Sequence, residues 1–181
     1  MSSSHTDASG RNTGEQFVTD DFVSTATVQA RTLSWQGAYC DPRFPVPLAV
    51  PPPAARSFRI VIAEDNGIGT GPLTVPPGPL LEFTVTTADA REELLFEVTE
   101  NREAGCGPKI PASFSYYRYT ATLPRTVALT AGRRYWVSVM ANLADSVFLW
   151  GWRQGIADNN YAALSIASSF WNFDMAFSIS S

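Results

Sequence analysis

At 181 residues the chain has room for one domain with a real core, or one domain plus a tail, without disulfide scaffolding. Apolar residues make up 45% and charged residues only 17%, which speaks against a disordered chain. A formal charge of −4 argues against a phosphate-gripping surface and hence against nucleic acid, while one histidine (His5) and two cysteines leave no usual zinc site and no Ser-His or Cys-His pair for the core.

Residues 1–16 are polar, Ser-rich and without periodicity, and are expected to form a flexible tail ahead of a domain over 17–181. A strand-like pattern begins at Phe17 and Asp20-Asp21-Phe22-Val23 and continues to Trp35, with Val28, Ala30, Leu33 and Trp35 as its apolar positions. Pro42, Pro45, Pro47, Pro51, Pro52 and Pro53 then exclude a central strand and predict a long loop or edge segment. Phe58, Ile60 and Ile62 mark one face of the next strand, which ends in a Glu64-Asp65-Asn66-Gly67 turn. Pro76, Pro77 and Pro79 precede a strand over 81–86. Residues 88–98 suit either a short helix or a strand, and Leu94 to Thr99 is taken as a strand. From Tyr116 to Leu123 the pattern sharpens: Tyr117, Tyr119, Ala121 and Leu123 alternate with Tyr116, Arg118, Thr120 and Thr122. Val127 and Leu129 lead through an Ala-Gly turn to a strand over 135–140. Residues 147–152 form another, and Phe173, Met175, Phe177 and Ile179 mark the last. Short strands, frequent turns and no sustained helical period predict an all-β protein, a single antiparallel jelly-roll-like β-sandwich with long Pro-rich loops.

No apolar run is long enough to cross a membrane, and the opening MSSSHTDASGRNTGEQ holds no hydrophobic signal core, so membrane insertion is not expected. Either the protein is not exported by the usual signal, or the chain is a mature domain cut from a longer one and given a start Met; the second reading fits better. Cys40 and Cys106 both lie in Pro/Gly-flanked loops, where a bridge would pin one loop to the other. An even count in an extracellular module admits a disulfide between them, and two free thiols are the alternative, since sequence does not supply the Cα separation a bridge requires.

Four stretches carry a family resemblance. They are Thr19-Asp20-Asp21-Phe22-Val23 with Leu33-Ser34-Trp35-Gln36-Gly37-Ala38-Tyr39; Phe58 to Gly67; Leu129 to Val139 with its L-x-A-G-x-x-Y-W-x-S-V pattern; and Trp150-Gly151-Trp152 with Asp174-Met175-Ala176-Phe177. In order and spacing the chain resembles a bacterial secreted β-sandwich module that recurs in cell-surface proteins, including those with exosortase-type (PEP-CTERM) sorting tails. The resemblance spans residues 19–179 and implies an extracellular or cell-surface, non-catalytic module. The chain departs from the pattern in its enlarged Pro-rich loop and in having no sorting tail after Ser181, so surface attachment is not implied by the chain itself.

Abundant Trp and Tyr invite a carbohydrate-binding reading, because a flat ring can cover the C–H face of a sugar while polar neighbours bond its hydroxyls. Trp150 and Trp152 sit two apart and project from one face; exposed, they form a stacking platform, but long alternating aromatic runs more often fill a core. Trp171, outside clear alternation, is a loop candidate for the platform, and Tyr116 lies on the strand face opposite Tyr117 and Tyr119. Asp65 and Asp158 sit in acidic turns that offer oxygen ligands of the type Ca2+ prefers, yet turn capping explains such residues more simply, so no cofactor is expected. Carboxylates such as Glu92 and Glu93 are adjacent and point to opposite faces of a strand, giving catalysis little support. The expected function is therefore a non-catalytic binding or adhesion module, with polysaccharide or a cell-surface component as partner. The alternative is a subunit that self-assembles into a homo-oligomer, filament, surface layer or virion through strand edges or its N-terminal segment.

Overall fold

The computed structural model describes residues 3–6, 12–15, 18–40, 55–65, 67, 79–102, 110–143, 149–153, 162–164, 169–171 and 175–181. Among them no helix forms, and every regular element is a strand. In chain order these are β1 (Ser3–Thr6), β2 (Asn12–Glu15), β3 (Val18–Val23), β4 (Val28–Cys40), β5 (Ala55–Glu64), β6 (Leu81–Thr86) and β7 (Arg91–Arg102). They continue as β8 (Ile110–Leu129), β9 (Arg134–Leu143), β10 (Leu149–Trp152), β11 (Ala162–Leu164), β12 (Ser169–Trp171) and β13 (Phe177–Ser180).

Two sheets face each other. In sheet I, β9 is central: β3 lies along one edge and β5 along the other, β6 extends the sheet beyond β5, and β11 and β12 extend it beyond β3. In sheet II the order is β10-β4-β8-β7, with β13 also beside β4. The pairings are antiparallel except for β1, which runs parallel to β9 with Ser3 opposite Ala141. The segment read as a polar tail thus contains two strands, β1 and β2, paired with each other at Ser4↔Glu15. Backbone hydrogen bonds place these residues in the sheet although the sequence shows no apolar alternation there. The fold is the expected all-β sandwich. Its Pro-rich segments, and the connections on which a jelly-roll assignment rests, lie outside the described residues.

Alternation explains which face each strand buries. On β4, Leu33, Trp35, Gly37 and Tyr39 point inward; on β8, Tyr119, Ala121 and Leu123 do. They meet Phe58, Ile60 and Ile62 of β5 and Tyr135, Val137 and Val139 of β9 across the interior. Phe58 is the aromatic link between the sheets. Its ring lies 4.6 Å from Tyr119, 5.2 Å from Trp35 and 5.4 Å from Trp150. β9 is buried on its outward face too, at Trp136, Ser138 and Met140, which fits its near-continuous run of apolar residues.

Two sequence expectations change in detail. β7 starts at Arg91 and not at Leu94, and no helix forms over 88–95. The Thr86 hydroxyl donates to the Asp89 carboxylate at 2.6 Å, and the Ala90 amide donates to the Thr86 carbonyl, so a tight turn delivers the chain directly into the strand. β8 runs unbroken through Pro124, which the ladder tolerates because both its pairings are interrupted there. Its pairing with β4 jumps from Thr32↔Thr122 to Ala30↔Val127, and its pairing with β7 stops at Arg91↔Thr120. Pro124 therefore stands where the ladder asks for no donor.

A candidate ligand-binding face on the second sheet

The outward face of sheet II is built by the register of β7, β8 and β4. On β8 the residues opposite the core positions are Tyr116, Arg118 and Thr120. On β4 the corresponding set is Ser34, Gln36 and Ala38. β7 supplies the decisive irregularity. Leu94 pairs with Tyr117, but a bulge at Leu95 lets Phe96 pair with Tyr116. Without that extra residue, Phe96 would follow Leu94 toward the inner side; with it, Phe96 comes out beside Tyr116.

The two rings stack at 4.9 Å between centroids with 28° between their planes. The Arg153 guanidinium, just beyond β10, lies over both, 4.9 Å from the Phe96 ring and 5.5 Å from that of Tyr116. Arg153 is held from several sides. Its Nη1 donates to Gln36 Oε1 at 2.5 Å, its amide donates to the Gln36 carbonyl at 2.8 Å, and its carbonyl accepts from the Ala176 amide at 2.7 Å. Beside this group, Arg118 lies 3.6 Å from Glu93, a loose ion pair with both side chains open to water. Phe96 remains 40% exposed, and Leu94, at 52%, borders the same strand. A partly exposed aromatic pair framed by guanidinium, amide and carboxylate groups is suited to hold a ligand with one apolar face and a polar rim.

Tyr116 is therefore the sequence candidate that the structure brings to this face. Trp150 and Trp152 are corrected: at 0% and 6% exposure they are core residues and offer no platform. Gly37 explains why. Trp150 lies against the side-chain-free face of Gly37, and Trp152 pairs with Gly37 across the ladder while its indole N–H donates to the Ala176 carbonyl at 3.1 Å. Trp171 belongs to strand β12, paired with Ala162, and not to a loop; its side chain lies outside the described residues. Cys40 ends strand β4, opposite Leu149, and does not sit in a loop; its side chain, like Asp158 and Cys106, lies outside the described residues.

Asp65 caps a turn. Its Oδ2 accepts from the Gly67 amide at 2.9 Å, where Gly67 takes φ of 83°, and its Oδ1 accepts from the Trp136 indole N–H at 2.8 Å. Among the described residues no group of three or more His, Cys, Asp or Glu is gathered as metal ligands would be. The Asp20-Asp21 pair serves the fold: Asp20, 1% exposed, accepts from the Met175 amide at 2.8 Å, and Asp21 lies 3.2 Å from Arg134 Nε. Phe96, Arg153 and Gln36 were missed by sequence reasoning. The only signal was the paired aromatics of LFEV and SYYRY, since a bulge leaves no mark in an apolar run.

Behind this face, phenol groups meet at the inner side of the sheet. Tyr119 OH donates to Tyr39 OH at 3.3 Å, and Tyr39 OH in turn accepts from the Ala55 amide at 2.8 Å, tying the start of β5 to the end of β4. Burial pushes the Tyr39 phenol up from 10.0 to about 12 and raises Tyr119 as well, because the charged phenolate loses its water. Burial likewise raises the Glu92 carboxyl, opposed by its hydrogen bond with Tyr119. The neutral phenols are favoured by the fold, so their contribution is full below pH 10 and lost as pH rises toward about 12. The urea midpoint is expected to fall steeply above pH 10. In Tyr39→Phe that slope shrinks, while stability at neutral pH drops by about 1–3 kcal/mol because the Ala55 amide loses its acceptor. An unchanged slope in this variant contradicts the assignment.

A family model described as "Domain of unknown function (DUF7901)" matches residues 2–180. No curated protein and no solved structure matches the chain.

Proposed function

We propose that this chain, which belongs to the DUF7901 family, is a non-catalytic extracellular binding module that recognises polysaccharide on the outward face of sheet II. The observation that carries the reading is the Phe96–Tyr116 stack on the outer face, its Phe96 ring exposed and Arg153 beside it. Leaving Phe96 40% exposed beside a half-buried Tyr116 adds nothing to the core, which is already filled with Trp35, Phe58, Tyr119 and Trp150. A sugar ring laid against them gains dispersion and sheds ordered water, and Gln36, Arg118 and Glu93 lie beside it as partners for hydroxyl groups. The extracellular setting and the absence of a reaction are supported by the resemblance to secreted surface modules.

The test is retention of the purified domain on a panel of insoluble and soluble polysaccharides, with calcium and with a chelator. Selective retention on at least one glycan is expected, independent of calcium. Phe96→Ala and Tyr116→Ala are each expected to weaken it about tenfold or more, the equivalent of roughly 1.4 kcal/mol. Both variants should stay folded, with stability lowered only by the lost ring stack, about 1 kcal/mol, because neither side chain is part of the buried core. Retention that survives both substitutions, or no retention on any glycan, overturns the reading.

A second reading, assembly through strand edges, is favoured by one observation. β7 stands at the end of sheet II in the described strand order, with Leu94 largely exposed. It predicts a concentration-dependent rise in mass by light scattering that Leu94→Lys abolishes, and a monomer at high concentration refutes it.

A further inference from the structure

The binding face sorts its side chains into rows across the strands. Phe96 and Tyr116 are direct ladder partners and form an aromatic row. One step along the strands, about 7 Å away, Glu93 pairs with Arg118, Arg118 pairs with Gln36, and Gln36 holds Arg153 through Nη1. One further step brings Arg91, opposite Thr120, which is opposite Ser34. The chain as a whole carries a formal charge of −4. Yet the described side chains of this face place Arg91, Arg118 and Arg153 against the single carboxylate of Glu93. Positive charge is gathered beside the aromatic pair in a protein whose overall balance is acidic.

Resting on the polysaccharide reading above, we propose that the ligand is an acidic glycan, a chain of uronic acid units, whose ring covers Phe96 and Tyr116 while its carboxylate meets the guanidinium groups of Arg118 and Arg153. A uronate carboxylate projects from the edge of its ring. With the ring on the aromatic row beside the Arg153 guanidinium, that carboxylate lies between Arg153 and Arg118 of the next row. Arg153 is pre-positioned by its stack on the rings and its bond to Gln36, so little freedom is lost when an anion arrives. Arg118 is held only loosely by Glu93, at 3.6 Å, and both are exposed. Glu93 thus acts as a weak internal competitor that a ligand carboxylate displaces. Planar guanidinium groups form paired N–H···O bonds with carboxylates, a geometry that hydroxyl groups of a neutral sugar do not offer.

The experiment compares polygalacturonic acid with its methyl ester, which keeps the sugar backbone and removes the charge, with polyglutamate as a polyanion that has no sugar ring. Binding is measured by calorimetry at low and at physiological salt. The acid is expected to bind about tenfold tighter than the ester at low salt, the yield of one charge-assisted contact, with the advantage shrinking as salt rises. Arg118→Gln is expected to erase most of that advantage, bringing binding of the acid down to about that of the ester. Glu93→Gln is expected to strengthen binding of the acid several-fold. These opposite signs at two exposed positions separate recognition from any loss of fold. Equal binding of acid and ester overturns the acidic-glycan inference alone. Polyglutamate binding as well as the acid overturns it in favour of a generic polyanion surface. Failure of both glycans, with selective retention on some other neutral polysaccharide, also overturns it while the polysaccharide reading stands.

Discussion

Gly37→Ala is expected to destabilise the domain by about 3 kcal/mol, on the order of 10 °C in Tm for a chain of this size. The reason is contact and not backbone conformation. A Cβ at position 37 would stand 2.2 Å from Trp150 Cζ2 and 2.4 Å from Cε2, well inside the range where something must move. The obstacle is the body of a fully buried indole, hemmed in by Phe58 at 5.4 Å and Tyr119 at 6.2 Å, so it has nowhere to go. The W-x-G-x-Y pattern thereby acquires a physical meaning. Trp35, Gly37 and Tyr39 all face inward, and the glycine is the seat for the Trp150 ring, brought alongside by β10. A double-mutant cycle checks the mechanism. Trp150→Phe, itself destabilising, removes the atoms that clash, so adding Gly37→Ala to it should cost at least about 1 kcal/mol less than in the native background. Strict additivity of the two changes in chemical denaturation contradicts the account.

Phe58→Ala is expected to cost about 3–5 kcal/mol, a large share of the stability of an ordinary domain. Phe58 belongs to sheet I, but its three aromatic neighbours, Trp35, Tyr119 and Trp150, all belong to sheet II. Removing its ring therefore opens a void at the contact between the sheets, where neither can collapse onto the other without breaking its own ladder. Urea unfolding followed by tryptophan fluorescence measures the loss, since Trp35 and Trp150 both report from the same cluster. A cost below about 1 kcal/mol would mean that the sheets repack, and that this cluster does not hold them together.

The strands were legible where alternation is strict. Phe58, Ile60 and Ile62 on β5 and Tyr117, Tyr119 and Ala121 on β8 announce one buried face each, and the structure uses those faces. The strands β1 and β2 carried no such signal, because their sequences SSHT and NTGE hold no apolar alternation to read. The binding face was half legible. Tyr116 follows from parity along β8, but Phe96 depends on one extra residue in β7, and parity fails wherever a bulge resets it. Arg153 was invisible for a different reason. It reaches the aromatic pair across β4 and β8, a neighbourhood that exists only after β10 has docked beside β4. Trp150 and Trp152, the most conspicuous aromatics of the sequence, fill the interior, Trp150 because Gly37 leaves room for its ring.

The central claim is that ligand binds on the outward face of sheet II, and it is tested most directly by mapping amide chemical shifts during titration with a soluble fragment of the retained polysaccharide. The account predicts perturbations that cluster at Gln36, Phe96, Tyr116, Arg118 and Arg153, with the amides of β5 and β6 in sheet I left in place. Perturbations centred on sheet I, or binding that moves none of those five amides, would contradict it.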